Sequence, residues 1–171
     1  MTNINNKFTV IRDSREKPNF GWTYEEDSHC NGTIIQKVHA GDYTLEGLED
    51  FFCIERKETI QEFARNCIQK ERWSKCMERM GECSHPYLIF EFGWKDIDNY
   101  PRSAKVPHYV RKKMMWKSGK PKIPIALIKS TIEIAREKYG IHVLACNDRF
   151  YAERVAYRLM KKAYELRCRK L

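Results

Sequence analysis

The spacing of hydrophobic residues along the chain predicts a domain built from both strands and helices. Short apolar or alternating runs bounded by turn residues indicate strands, whereas apolar residues three and four positions apart indicate helices. The strand-like runs are residues 7–13, 33–45, 51–57, 86–92 and 141–147. The helical runs are residues 59–80, residues 125–138 and a last segment from about Arg149. This order predicts a mixed α/β domain in which helices flank a central sheet.

Residues 40–57 are predicted to form a β-hairpin, because a strand-like run lies on each side of a short polar turn. A four-residue loop after Glu46 would pair this residue with Phe51. The same register places Asp42 directly opposite Glu55. Cross-strand partners share one face of a sheet, with Cβ atoms about 5 Å apart, so the register brings two carboxylates together.

The charged end of the second hairpin strand predicts a metal site. Alternate side chains share a face, so Glu55 and Lys57 point one way and Arg56 the other. Two adjacent carboxylates repel each other at neutral pH, and a divalent cation removes the conflict. Mg²⁺ or Mn²⁺ prefers oxygen ligands, and the predicted ligands are Asp42, Glu55 and the backbone carbonyl of Arg56. Such an ion lowers the pKa of a bound water, which Lys57 would hold beside a scissile phosphate.

A simpler interpretation of the same residues is a surface ion pair. The pattern E-x-K is very common in proteins, and Glu55 and Lys57 by themselves are compatible with the rim of an ordinary hairpin. The metal site therefore depends on the opposing Asp42 and on further motifs in the chain.

Composition and charge narrow the class of partner. The chain has 171 residues, 42% of them hydrophobic, which predicts a single domain over residues 1–171 with a real core. The net charge of +9 favours a polyanion, and nucleic acid before an anionic membrane, since no basic amphipathic helix has a broad apolar face.

The chain shows no sign of export or membrane insertion. No apolar run is long enough to span a bilayer, and the first residues lack a signal-peptide core. Seven cysteines, an odd number without a CxxC pair, predict free thiols in a reducing compartment rather than disulfides or zinc. We therefore expect a cytoplasmic protein that acts away from membranes, and its single-domain form suggests a prokaryotic or viral origin.

Residues 95–124 differ in composition from the rest of the chain. Four prolines interrupt them, and residues 95–122 carry nine Lys and Arg against two Asp, most of the total excess of positive charge. This segment is predicted to be a mobile basic insertion that contacts DNA phosphates, rather than a solvated loop. Its predicted DNA-binding residues are Arg111, Lys112, Lys113, Lys117 and Lys120. Its aromatic residues, predicted to stack on unpaired bases, are Tyr100, Tyr109 and Trp116.

Three motifs give the chain a resemblance to a known family. "VIRDSRE" at 10–16, "AGDYTL" at 40–45 and "CIERKETIQEF" at 53–63 resemble, in order and interval, the nuclease domain of XPF-type structure-specific endonucleases. That family carries D-x-R-E, then G-D-Y, then E-R-K-x-x-x-D. The resemblance implies a restriction-endonuclease-like fold and Mg²⁺- or Mn²⁺-dependent cleavage of flaps, forks or branched junctions with single-strand/double-strand boundaries.

The resemblance also assigns site residues. The matched catalytic positions are Asp13, Glu16, Asp42, Glu55, Arg56 and Lys57, and Asp13 is a further candidate metal ligand. Arg15 either contacts phosphate or pairs with a neighbouring acid, and we favour the pairing. Arg72, on the helix that follows the last motif, is a candidate DNA contact, although a solvated position is equally compatible with its spacing.

The chain departs from the family pattern in two places. Gln61 stands where the family has its final motif aspartate, and Glu62 next to it is expected to point about 100° away on a helix. The C-terminal residues "KKAYELRCRKL" show no helix-hairpin-helix module, so DNA binding must come from elsewhere, with the basic segment as the candidate.

The leading function is a structure-specific DNA endonuclease. A non-catalytic DNA-binding subunit, a nonspecific DNA or RNA nuclease and a basic scaffold protein remain alternatives. The family pairs its nuclease domains, which implies a homodimer as a possible assembly.

Overall fold

One mixed sheet organises the computed structural model, which describes residues 7–16 and 20–168. Over these residues the strands are β1 (Phe8–Asp13), β2 (Cys30–Gln36), β3 (Tyr43–Leu45), β4 (Phe52–Lys57), β5 (His85–Phe90) and β6 (His142–Ala145). Their order in the sheet is β2-β1-β3-β4-β5-β6. Only β3 among them runs against the others, because β1 and β4 each pair antiparallel with it and the remaining pairs are parallel.

Helices cover both faces of this sheet. They are α1 (Ile60–Ile68), α2 (Lys70–Gly81), α3 (Trp94–Asp98), α4 (His108–Lys113), α5 (Ile125–Tyr139) and α6 (Arg149–Cys168). One core cluster packs α1, α2 and α5 against β4 and β5, and includes Cys53 and Phe90. A second packs α6 against the opposite face and includes Phe52 and Ile54. The predicted α/β architecture, a mixed central sheet flanked by helices, is confirmed.

The hairpin register is confirmed. Tyr43 pairs with Ile54, which is the register that sets Asp42 against Glu55. Gly41 makes this approach possible: it has a φ of +73°, and a Cβ there would lie 2.6 Å from the Ile54 carbonyl oxygen. A side chain at this position would push the two strands apart, which gives the glycine of the G-D-Y motif a physical reason.

Two predicted elements are divided in the structure. The run 33–45 contains the parallel edge strand β2 and, after a turn, the antiparallel strand β3. The helical run 59–80 breaks at Gln69, whose φ of −89° and ψ of 57° are not helical. Apolar spacing continues across the break because α1 and α2 both pack on the same core cluster.

The basic segment 95–124 has more regular structure than its sequence indicated. The short helix α4 lies within it, and α3 overlaps its start. The ring of Tyr100 is buried, 4% exposed, and belongs to the core beside α1 and α5. Its predicted stacking on unpaired bases is therefore wrong, whereas Tyr109 and Trp116 are exposed. The predicted mobility of the segment stays a prediction.

The structure also bears on membrane insertion and on the state of the cysteines. In the described part of the chain no helix has both the length and the apolar character needed to cross a bilayer. Six cysteines there are free thiols, five of them buried and Cys76 partly exposed, as predicted. The side chain of Cys168 lies outside the described residues.

Candidate active site

The acidic motif residues meet at one edge of the sheet. Asp13 ends β1, Asp42 directly precedes β3, and Glu55 and Lys57 lie at the end of β4. Because β1 and β4 run parallel and β3 opposes both, these positions share an edge. In open α/β sheets ligands bind outside the carboxyl ends of the strands.

A cavity of about 300 Å³ opens at this edge. The strand ends contribute Asp13, Arg15, Glu16, Asp42, Glu55 and Lys57 to its wall. Helices α1 and α2 contribute the opposite wall, which includes Glu62, Asn66, Arg72, Trp73 and Cys76. The three sequence motifs therefore converge on one concave site.

Asp42 is the carboxylate whose negative charge this cavity disfavours. Its Oδ2 accepts the backbone N–H of Arg56 at 2.7 Å, which fixes the carboxylate against β4. Burial raises the pKa of Asp42 well above its usual range, and the negative charge of Glu55 raises it further, while Lys57 acts in the opposite direction. A negative Asp42 is thus unfavourable in the folded protein unless a further positive charge joins the site.

Lys57 is held as an ammonium group among acids. Its Nζ lies 2.7 Å from Oε1 of Glu55 and 3.6 Å from Oε1 of Glu62, and 5.7 Å from the centre of the Trp73 ring. Burial alone would lower the pKa of Lys57, but Glu55, Asp42 and Glu62 together raise it above its ordinary value. The side chain therefore acts as a hydrogen-bond donor at neutral pH and not as a base.

Asp13 is already satisfied by its neighbours. Its Oδ1 accepts the backbone N–H and Nε of Arg15 at 2.7 and 2.8 Å, and its Oδ2 accepts Nη2 of Arg15 at 2.6 Å and Val38 N–H at 3.2 Å. Burial acts to raise the pKa of Asp13, but these donors lower it below its usual value. The favoured pairing of Arg15 with a neighbouring acid is confirmed, and a metal-ligand role for Asp13 would require Arg15 to move.

Arg56 faces away from the cavity, as the alternation of the strand predicted. Its Nε donates to Oε1 of Glu91 at 2.8 Å, and the indole N–H of Trp22 donates to the same oxygen at 2.7 Å. Its guanidinium lies 5.6 Å from the centre of the Trp22 ring and 3.6 Å from Glu16. Burial raises the pKa of Glu16, although Arg56 opposes that effect. The Arg56 side chain thus fixes the end of β4 from behind.

Glu91 and Trp22 are partners of Arg56 that were not predicted from the sequence. Both are buried, and both partner Arg56. A signal for Glu91 exists in the sequence, since it is the lone acid in the apolar run "PYLIFEF". No comparable signal exists for Trp22, because nothing local connects residue 22 with residue 91.

Glu62, and not Gln61 at the motif position, lines the cavity beside Lys57. Thr59 caps α1 by accepting the Glu62 N–H at 3.3 Å, and Oε2 of Glu62 accepts the Glu58 N–H at 3.2 Å. This capping turns the carboxylate back over the helix N-terminus and toward Lys57. The expectation that Glu62 points away is therefore wrong. Among the described residues, Oε1 of Gln61 is buried and has no hydrogen-bond partner.

The predicted DNA-binding residues fall into two groups. Arg15 and Arg72 line the cavity. The residues of the basic segment do not: Nη2 of Arg111 donates to the carbonyls of Ala104 and Val106, which fixes the segment itself. The remaining ones, all exposed, are Lys112, Lys113, Lys117 and Lys120.

The oxygen atoms that line the cavity suit a small, hard cation that keeps some of its water ligands. They do not suit an ion held by protein side chains alone. Within residues 7–16 and 20–168, no three His, Cys, Asp or Glu side chains are arranged to hold a metal ion. Asp42 and Glu55 supply two carboxylates whose repulsion raises the pKa of Asp42. Mg²⁺ is bound in this manner, by one or two carboxylates while it retains several waters.

Comparisons with known proteins identify the fold. No protein-family model matches the chain, and no curated protein matches it. Among solved structures, XPF from Aeropyrum pernix is 17% identical with a TM-score of 0.53, over 95% of this chain and 66% of that one. XPF from Aeropyrum pernix in complex with DNA is 16% identical with a TM-score of 0.56, over 96% of this chain and 66% of that one.

The chain therefore shares its α/β fold with XPF from Aeropyrum pernix, and the resemblance suggested by the three motifs is confirmed at the level of the fold. The chain spans 66% of the length of the proteins that it matches. At this identity the likeness concerns the fold, so activity and substrate are argued from the site.

Proposed function

We propose that this protein is a metal-dependent endonuclease that hydrolyses phosphodiester bonds in flap, fork or branched DNA. The observation that carries the proposal is the convergence of Asp42, Glu55 and Lys57 in one cavity at the carboxyl edge of the sheet. The net charge of +9 and the similarity to an XPF solved in complex with DNA support a DNA substrate.

Asp42 and Glu55, with the backbone carbonyl of Arg56, are the groups that would hold Mg²⁺ or Mn²⁺. The ion, when bound, lowers the pKa of a water and neutralises charge on the phosphate. Its positive charge also favours the ionised form of Asp42, which the folded protein otherwise disfavours. The paired carboxylates are thus suited to hold a cation.

Lys57 supplies the positive donor of the reaction. As an ammonium it donates to a phosphate oxygen or to the attacking water, and its protonated state is secured by Glu55 and Glu62. Glu62 acts here through Lys57 and is a positioning residue. Arg56, clamped by Glu91 and Trp22, keeps the end of β4 fixed, so donors and ligands retain their spacing.

The proposed role of the basic side chains is to neutralise phosphates of the DNA. Arg15 and Arg72 lie in the cavity wall, where they contact the backbone of the DNA near the cleaved bond. The exposed lysines of the basic segment contribute sequence-independent attraction farther away. Such contacts carry no base readout, which is compatible with recognition of DNA shape.

A nicking assay tests the proposal directly. Labelled flap, fork, four-way junction and plain duplex DNA are incubated with Mg²⁺ or Mn²⁺ and analysed on denaturing gels. We expect cleavage near the branch, and Glu55→Ala should abolish cleavage while DNA binding is retained. Cutting by the Glu55→Ala variant at the wild-type rate would show that the site is assigned wrongly.

The same assay separates the alternatives. A non-catalytic DNA-binding subunit would bind the branched substrates and cut none, a result disfavoured by the intact grouping of Asp42, Glu55 and Lys57. A nonspecific nuclease would cut the plain duplex, or RNA, as readily as the branch. The possible homodimer stays a prediction, which sedimentation of the free protein tests.

A further inference from the structure

Three exposed aromatic side chains lie at the same sheet edge as the candidate active site. Phe20 lies in the loop after β1, Trp94 follows β5 and Phe150 follows β6. Their exposed fractions are 50%, 49% and 70%. Because β1, β4, β5 and β6 run in the same direction, these segments leave the sheet at the edge where Glu55 and Lys57 lie.

Contacts between their neighbours hold the three segments together. The Arg149 guanidinium donates to the carbonyls of Phe20 and Gly21 at 2.7 and 3.0 Å. Asn147 packs so tightly on Gly93 that its Oδ1 lies 2.1 Å from where a Cβ of that glycine would stand. The loop after β1 and the loop after β5 thus both contact the residues that begin α6.

The same edge connects the aromatic side chains to the catalytic strand. Trp22, two residues after Phe20, shares Glu91 with Arg56 of β4. Glu91 itself lies three residues before Trp94, and its N–H donates to the Lys57 carbonyl at 2.9 Å. These bonds tie the backbone segments that carry Phe20 and Trp94 to the strand that carries Glu55 and Lys57.

The chemistry of these segments favours unpaired bases over a protein partner. The large apolar side chains that they expose are aromatic, whereas exposed aliphatic ones lie on β2, α1, α5 and α6, namely Ile34, Ile35, Ile68, Ile134 and Leu166. Aromatic rings stack on any nucleobase, and the net charge of +9 favours a nucleic-acid strand as the occupant. The Arg154 guanidinium lies 5.3 Å from the centre of the Phe150 ring and adds a cation.

Three acidic side chains nearby are engaged in helix capping or ion pairs. Asp96 accepts the Gly93 N–H at 2.8 Å and Asp148 accepts the Tyr151 N–H at 2.7 Å, at the starts of α3 and α6. Asp98 pairs with Lys129 at 2.7 Å. Their charges are therefore partly compensated, and they do not prevent a DNA strand from approaching the rings.

We propose that Phe20, Trp94 and Phe150 form a stacking surface for unpaired bases in the single-stranded arm of a branched DNA. The proposal rests on the proposed function and adds the element that distinguishes a branch from a plain duplex. Only a strand with unstacked bases offers faces to these rings, so the surface selects structure and not sequence.

The test is a binding measurement without metal. Forked DNA with 2-aminopurine in its unpaired arm, and a blunt duplex of equal length, are titrated with the full chain in the presence of a chelator. We expect Phe150→Ala and Trp94→Ala each to weaken fork binding about 5- to 10-fold and to reduce the quenching of 2-aminopurine. Duplex binding should stay within about twofold, and Ile35→Ala, an exposed position on β2, is the matched control.

Three outcomes would overturn the proposal. They are equal losses for fork and duplex, unchanged fork binding in both variants, and a change in the sedimentation of the DNA-free protein, which would assign the rings to contacts between protein chains. Because the measurement needs no cleavage, it is independent of the catalytic assignment. Persistent cutting by Glu55→Ala would refute the catalytic site and leave the stacking result standing.

Discussion

Consecutive residues of β4 serve opposite purposes on the two faces of the sheet. On one face Glu55 and Lys57 open into a polar cavity where Asp42 adds a second, destabilised carboxylate. On the other face Arg56 is closed in by Glu91 and Trp22. The comparison shows how strand alternation places the proposed reacting groups on one face and the groups that fix the strand on the other, within three residues of chain.

The largest expected effect on cleavage comes from removing charge on the cavity face. Asp42→Asn should lower cleavage about 10²- to 10³-fold, the usual loss when a group that organises transition-state charge is removed. The variant should nevertheless be at least as stable as the wild type at neutral pH, because burial and Glu55 disfavour the Asp42 carboxylate. Rates come from single-turnover gels, and thermal unfolding measures stability.

Metal supplies the control for that variant. Mg²⁺ should raise the melting temperature of the wild type and have little effect on Asp42→Asn, since stabilisation by a ligand requires a site. A loss of stability in Asp42→Asn without metal would contradict the strained carboxylate.

The opposite face should respond mainly in stability, and in cleavage only through the position of the end of β4. Glu91→Leu leaves the buried Arg56 guanidinium without its main partner, and breaking a buried pair costs about 3–5 kcal/mol. Urea unfolding measures this loss, and the double variant Arg56→Met with Glu91→Leu should recover most of it. Equal destabilisation by the double variant would show that packing, and not the unpaired charge, is responsible.

A smaller effect distinguishes Glu62 from Gln61. Glu62→Gln weakens the ion pair that holds the Lys57 ammonium at 3.6 Å, so cleavage should drop about tenfold, as for other residues that orient a catalytic group. The NMR chemical shifts of the Lys57 side chain at neutral pH report its contact with Glu62 independently of activity.

Gln61→Ala is the matched control for Glu62, because the two residues are adjacent on α1. The chemical shifts of Lys57 and the cleavage rate should both stay close to wild-type values. A larger effect from Gln61→Ala than from Glu62→Gln would restore the motif position as the functional one.

The smallest expected effect compares two aspartates by pH. The pKa of Asp13 is lowered by its donors, so its contribution to stability is present above about pH 4 and is lost as the pH falls through the lowered pKa. The pKa of Asp42 is raised, so its contribution is present at acid pH and is lost as the pH rises through the raised pKa. Asp13→Asn should therefore cost about 1–2 kcal/mol at pH 7 and less at low pH.

Relative to the wild type, Asp42→Asn should gain stability as the pH rises, because the wild type then loses the contribution of protonated Asp42. Urea unfolding from pH 3 to pH 8 checks both signs, and parallel curves for the two variants would contradict the assigned environments.

Local chemistry made the hairpin and its charged end predictable from sequence. Period-two alternation assigned Glu55 and Lys57 to one face and Arg56 to the other, and the turn set Asp42 opposite Glu55. The capping pattern of Thr59 and Glu62 was also present in the sequence, although the helical angle alone led to the wrong direction for Glu62.

The sequence by itself thus determined the order of elements, the hairpin register and the pairing of Asp42 with Glu55, because each depends on residues close together in the chain. The tertiary structure alone decided that Trp22 and Glu91 enclose Arg56, that Tyr100 is buried, and that three distant aromatic residues share the edge of the candidate active site. Those relations depend on how separate elements pack, and no local periodicity encodes the partner of a residue dozens of positions away.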